Sequence, residues 1–277
     1  MHEQIEKAPA PTEGDRLVGI DRPEPGVVVL TMNRPATRNS LSLAMIDALH
    51  LAFQQLGGEP EVHAIVLAAE GPVFCAGHDL KELTARRADA DRGHAFFEHT
   101  MTRCSSMMQA IVACPKPVIA AVEGTATAAG CQLVATCDLA VAAEEAKFCT
   151  PGVNIGLFCS TPMVALSRNV SRKQAMEMLL LGELLPAAKA AEYGLINRVV
   201  PKDDVKDAAL DFARKIADKS PATVAIGKRA FYEQIEMGLA DAYEYAAKVM
   251  TENMMARDAA EGINAFLEKR KPEWKGR

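Results

Sequence analysis

Two short segments of the 277-residue chain gather the residue types that chemistry needs. The first is Phe74-Cys75-Ala76-Gly77-His78-Asp79-Leu80. A strand ends there, a glycine permits a sharp turn, and Asp79 can cap a following helix through its carboxylate. Near such a turn, main-chain N–H groups have no helical partner and can point into a cleft. The second is Gly124-Thr125-Ala126-Thr127-Ala128-Ala129-Gly130-Cys131-Gln132. Its small residues let a ligand approach the backbone where a helix start carries partial positive charge. It lacks phosphate-loop or GxGxxG spacing, so nucleotide-phosphate cradling has weak support. Each segment alone also fits a plainer role. The first can be a capped strand-to-helix connection, the second close helix–sheet packing. Two N–H donors from different loops converging on one oxygen form an oxyanion hole. Such a hole suits a thioester, whose carbonyl becomes an enolate or tetrahedral oxyanion during reaction.

The elements that must position these segments show in the hydrophobic pattern. Val27 to Leu30, Ala64 to Ala68, Val118 to Val122 and Leu139 to Ala142 read as strands, with short ones at Lys147 to Cys149 and Ile196 to Val200. Leu41 to Leu56 has helical periodicity, opened by Ser40 or Ser42 as a cap. Residues 70–78 read as a loop, Asp79 begins a helix, and residues 94–113 and 128–136 read as helices. From Pro162 onward helices dominate, and residues 203–270 look all-helical. Strands alternating with helices in the first two-thirds make the class α/β. The C-terminal third carries Met250, Met254, Met255, Ile263, Phe266 and Leu267, more apolar surface than a lone tail should expose. It must fold back on the core or meet another subunit.

Composition bounds the function classes. Apolar residues make up 49% of the chain, enough for a large core, which excludes disorder throughout. Lys plus Arg number 31 against 36 Asp plus Glu, so a general electrostatic grip on nucleic acid is not expected. The longest uncharged stretch, residues 148–167, contains Pro151, Gly152, Gly156 and Pro162 and cannot be a membrane helix. The seven cysteines show no CxxC spacing, so no zinc or redox centre is expected. They read as small buried hydrophobes in a reducing cytosol. Met1 to Arg16 is polar, with Glu3, Glu6, Glu13 and Asp15, unlike a signal or transit peptide. A cytoplasmic location is the expectation, with residues 1–14 a disordered tail.

Five segments in order carry a resemblance. They are Asn33-Arg34-Pro35 with Asn39-Ser40-Leu41; the turn at 74–80; Pro117 to Gly124; Gly130-Cys131-Gln132-Leu133 with Cys137-Asp138; and Glu261-Gly262 through Lys271. Together they resemble the crotonase family of enoyl-CoA hydratases and isomerases, over about residues 15–273. The resemblance implies a crotonase-like spiral of ββα units over 15–202. A helical trimerisation region over 203–277 would follow, giving a homotrimer or a hexamer built as a dimer of trimers. It implies an acyl-CoA ligand, with coenzyme A entering as part of the substrate and no separate cofactor. The hole's donors would be the backbone N–H groups of His78 and Ala129. The second position is usually glycine; alanine keeps the donor if its φ stays negative. Arg38, Ala76, Phe266 and Lys269 match CoA-binding positions, the last two from a neighbouring subunit. A plain surface or packing role for Phe266 and Lys269 stays open.

The same resemblance exposes what is missing. Family hydratases use two glutamates; those positions hold Gln132 and Gly152 here. A third acid, used by dienoyl-CoA isomerases and dehalogenases, falls on Ser160. Gln132 cannot take a proton at neutral pH, and Gly152 has no side chain. A general acid or base supplies roughly 10²–10⁴ in rate, so ordinary hydratase turnover is not expected. The enzyme class is left as a hydratase/isomerase-family lyase with an atypical site, against a non-catalytic acyl-CoA-binding or regulatory protein. Glu82, Cys149, Cys159, Thr161, Asn154 and the His78 imidazole are the remaining side chains near these positions. Surface or packing roles fit each of them more simply.

Overall fold

The computed structural model describes residues 16–276; the expected tail at 1–14 lies outside them. The chain lays its strands into two sheets by turns. After the antiparallel pair β1 (Val18–Glu24) and β2 (Val27–Met32) comes helix α1 (Leu43–Gly58). Then β3 (Ala64–Ala69) and β4 (Val73–Cys75) precede α2 (Leu80–Ala85) and α3 (His94–Ala113). Next, β5 (Val118–Val122) and β6 (Thr125–Thr127) precede α4 (Ala129–Thr136). Finally β7 (Leu139–Ala143) and β8 (Lys147–Cys149) precede α5 (Pro162–Leu166) and α6 (Arg172–Leu181). In the last three of these turns the first strand joins one sheet, the second joins the other, and helix follows; β1 and β2 both join the first sheet. The pairings β3–β5–β7 and β4–β6–β8 are all parallel. The result is the expected spiral of ββα units.

The larger sheet runs β1-β2-β3-β5-β7-β10, where β10 is Arg198–Val200. The smaller runs β4-β6-β8-β9, closed by the two-residue β9 (Leu185–Pro186). Four strands were not visible in the sequence pattern: β1, the two-residue β9, β4, which falls inside the stretch read as a loop, and β6, which lies between an expected strand and an expected helix. The larger sheet is buried on both faces, so β2, β3 and β5 are continuous apolar runs. Met45, Ile46, Leu49, Phe53 and Leu56 form the buried face of α1. Its cap is Ser42, whose hydroxyl accepts the Met45 N–H. Helix α7 (Ala187–Tyr193) leads into β10, and helix α8 (Val205–Ala217), with Ala209, Leu210 and Ala213 buried, packs on β3, β5 and β7.

The C-terminal helices are α9 (Pro221–Gln234), α10 (Leu239–Met255) and α11 (Arg257–Glu268). Helix α10 buries no residue. Leu239, Met255 and Phe266 are 78%, 83% and 83% exposed. Helix α9 is tied to the core by Lys228, whose ammonium donates to the carboxylate of Asp138 at 2.7 Å and to the carbonyls of Ile111 and Lys116. Tyr232 donates to the same carboxylate. Asp138, part of the Cys137-Asp138 pair in the sequence, therefore has a structural role. Among the described residues no helix is long and apolar enough to cross a membrane, and no cluster of three or more His, Cys, Asp or Glu is placed to hold a metal ion.

Candidate active site

The two chemistry-bearing segments are the ends of neighbouring strands in the smaller sheet. Beyond β4 the chain is clamped from both sides. The Ala76 N–H donates to the Arg38 carbonyl, and the Thr127 hydroxyl donates to the Ala76 carbonyl. Leu41 donates to the Gly77 carbonyl, and Asp79 donates to the Leu41 carbonyl. Asp79 then caps α2, its carboxylate accepting the N–H groups of Lys81 and Glu82. Within this clamp the N–H of His78 has no acceptor among the described residues.

Beyond β6, the Ala128 N–H donates to the Cys149 carbonyl at 2.8 Å. Ala129 opens α4, and its N–H also has no acceptor among the described residues. The two loops touch. A Cβ placed on Gly77 would lie 3.3 Å from the Ala129 nitrogen and 2.9 Å from the Ala128 Cβ, so only glycine fits there, at φ 84°. Gly130 likewise stands where a side chain would meet the Cys75 carbonyl. Two unpaired main-chain donors thus sit on adjoining loops, one at the start of a helix whose dipole favours negative charge.

The condition set for Ala129 is met, because its φ is not positive. The strain falls one residue earlier. Ala128 has φ 49° and ψ −117°, a conformation that glycine adopts at far less cost.

Gln132 lies in the first turns of α4 and is buried, with Oε1 lacking a partner among the described residues. Gly152 is also buried, in a 3₁₀ turn over Pro151–Ile155. Its surroundings are filled. A Cβ there would lie 2.9 Å from both the Cys159 Sγ and the Leu157 carbonyl oxygen. The emptied acid position therefore lacks room as well as a carboxylate.

The structure keeps Ser160 out of this arrangement. Its side chain is exposed and its hydroxyl donates to the Phe158 carbonyl. Asn154 donates to the Gly182 carbonyl, and Glu82 accepts the Leu43 N–H at the start of α1. Both have structural work. All seven thiols are buried, and burial raises the pKa of every one, including Cys149 to about 11, so none is an activated nucleophile.

Of the four positions that the resemblance matched to CoA binding, Arg38 and Ala76 lie on the clamped stretches next to the His78 amide. Arg38 is exposed, with φ 54°, and its carbonyl holds Ala76. Phe266 and Lys269 belong to α11 and its C-terminal cap, which pack on α9 and α10.

Sequence reasoning missed two residues. Asn39, fully buried at φ 49°, donates to the carbonyls of Glu70 and Val73 and accepts the Arg34 N–H, fixing the Arg38 loop to the start of β4. Its place in the Asn-Ser-Leu segment was the available signal. Thr100, buried on α3 with no partner for its hydroxyl among the described residues, gave none. The His78 imidazole proves buried at Nε2, also without a partner among the described residues, and burial pushes its pKa down to about 4.

Comparison with known proteins agrees with this architecture. The family profile described as Enoyl-CoA hydratase/isomerase matches residues 22–277. The chain is 45% identical over 269 residues to the Homo sapiens enoyl-CoA hydratase domain-containing protein 3, mitochondrial, covering 97% of this chain and 85% of the relative. The Rattus norvegicus counterpart is 44% identical over 266 residues, covering 96% and 87%. A solved enoyl-CoA hydratase from Mycobacterium smegmatis superposes with a TM-score of 0.89 at 53% identity, covering 94% of this chain and 99% of that one.

The names correct the expected cytoplasmic location, since the human and rat relatives are both called mitochondrial. That expectation rested on residues 1–16, of which only Arg16 is described, and on reduced thiols. Reduced thiols do not distinguish the cytosol from another reducing compartment. With its spiral, its paired loops and these matches, the chain belongs to the crotonase family of enoyl-CoA hydratases and isomerases, in the branch similar to enoyl-CoA hydratase domain-containing protein 3.

Proposed function

We propose that this protein binds an acyl-CoA thioester and polarises its carbonyl between the backbone N–H groups of His78 and Ala129. The observation that carries this reading is the pair of unpaired amides on touching loops. Each donor of such a hole is worth roughly 10²–10³ in rate when the reaction develops charge on the oxygen. Coenzyme A enters as part of the substrate, with Arg38 and Ala76 beside the thioester. Phe266 and Lys269 reach the nucleotide of a neighbouring subunit's ligand in a trimer or hexamer. No separate cofactor is required.

A second reading has its own observation in favour. Gln132 cannot carry a proton, and the space at Gly152 is taken by Cys159 and Leu157. A protein that grips the thioester without hydrating it fits those two facts. It would act as an acyl-CoA-binding or regulatory subunit.

The test of binding is spectroscopic. The infrared stretch of a ¹³C-labelled thioester carbonyl should fall on binding. Replacing the 129 amide by an ester, which removes only the N–H, should restore part of the shift. An unshifted carbonyl, or a shift indifferent to the ester, sinks the hole. Turnover of a crotonyl-CoA panel then separates the two readings.

A further inference from the structure

The peptide unit joining Ala128 to Ala129 lies in an orientation that its neighbours make unusual. Its carbonyl oxygen accepts the Gln132 N–H at 3.0 Å, the first hydrogen bond of α4. A trans peptide sets its C=O and N–H on opposite sides. The Ala129 N–H therefore points out of the helix start, away from the turns of α4. This orientation gives Ala128 φ 49° and ψ −117°, the angles of the first central residue of a type II′ turn. Glycine dominates that place because a Cβ is strained there. Here it is an alanine, and an alanine also follows it.

A half-revolution of this peptide would relieve Ala128. Such a flip changes only the ψ before the peptide and the φ after it, and it converts type II′ angles into type I′. Ala128 would enter the left-handed region that an L-residue tolerates, and its own N–H would keep the Cys149 carbonyl. Two things oppose the flip. The Gln132 N–H would lose its acceptor, and residue 129 would take a positive φ. In the structure the φ of Ala129 is not positive, and its methyl makes a positive one costly. Glycine at 129 would carry no such penalty. After the flip the Ala128 carbonyl, rather than the Ala129 N–H, would face outward from the helix start.

We propose that the Ala129 methyl is a lock: it bars the strained turn at Ala128 from relaxing by a peptide flip, and so keeps the 129 N–H presented as a donor. Ala128 and Ala129 are then positioning residues whose effects depend on one another. Alanine where the family usually has glycine acquires a function of its own. Glycine there should weaken the donor as long as Ala128 is present. The lock is a property of the backbone without ligand; its use in polarising a carbonyl rests on the thioester reading of the hole.

Hydrogen–deuterium exchange resolved to single amides tests it on the full chain without ligand. Ala129→Gly should speed exchange of the Gln132 amide roughly tenfold, because the flip removes its acceptor. Combining Ala128→Gly with Ala129→Gly should return that rate to within about twofold of the native one, because glycine at 128 removes the strain that drives the flip. Ordinary loosening of a helix by glycine runs the other way and would make the double variant the fastest. A native rate in Ala129→Gly overturns the proposal, and so does a double variant as fast as the single one. Infrared spectra of bound butyryl-CoA labelled with ¹³C at the carbonyl supply the second reading. Ala129→Gly should split the carbonyl band, adding a component near the frequency of the free ester, and the double variant should show one shifted band. Two shifted bands of the same single form in both variants overturn the link between the lock and the donor. An unshifted carbonyl in the native protein overturns the thioester reading instead, and the exchange rates still decide the lock.

Discussion

At the scale of single residues, the site stores strain and hides a titratable group. Ala128 holds φ 49° and ψ −117° because its N–H is tied to the Cys149 carbonyl while the next residue must start α4. Such a conformation costs an L-residue about 1–3 kcal/mol. Glycine relieves it but adds unfolded-state entropy worth about 0.4–1 kcal/mol. Ala128→Gly should therefore stabilise the protein by about 1 kcal/mol in urea denaturation. A destabilised variant would show that the backbone is not strained there. His78 behaves differently. Its pKa is held at about 4 by burial, against about 6.5 in an unfolded chain. Between those values the unfolded chain takes up a proton that the folded one refuses. The associated stability is full above about pH 6.5 and is lost as pH falls toward about 4, at most about 3 kcal/mol. Denaturation at pH 4.5 and 7.5 should show this loss in the native protein and a smaller one in His78→Gln. The chemistry-bearing turns were legible from their glycines and small residues. The filled space at Gly152 and the orphaned hydroxyl of Thr100 were not, since both depend on what other elements bring alongside.

At the scale of elements, the spiral depends on strands too short to announce themselves. Strands β4 and β6 have three residues each, and a strand of that length shows no alternation. Their pairing is dictated by the longer strands of the other sheet, which set the turns down in order. The buried strands β2, β3, β5 and β7 and the helices α1 and α3 were legible because burial imposes long apolar runs or a 3.6-residue period. Helix α9 is held by a buried ion pair rather than by apolar burial, its one buried residue being Lys228. The Lys228 and Asp138 side chains are only 6% and 16% exposed. Asp138→Ala leaves the ammonium with carbonyls alone and should cost about 3–5 kcal/mol. Adding Lys228→Met should recover part of that loss. A double-mutant cycle by chemical denaturation measures the coupling, and additive losses would deny the pair any special role.

At the scale of the whole molecule, the C-terminal helices leave large apolar side chains in water, Tyr243 and Leu267 at 73% and 71% exposure among them. A soluble monomer seldom tolerates a contiguous apolar face of this kind. Light scattering should give the mass of three or six chains, and Leu239→Glu with Met255→Glu should lower it. A single-chain mass at micromolar concentration would remove the reason for placing Phe266 and Lys269 beside a neighbour's ligand. The complete burial of all seven sulfhydryls opens a practical route to watching such assembly. With every native sulfur shielded and reluctant to ionise, a cysteine engineered onto α10 would be the fastest to react with a maleimide dye. Fluorescence transfer between such dyes on different chains would then report their approach in real time, with no need to delete a native cysteine first.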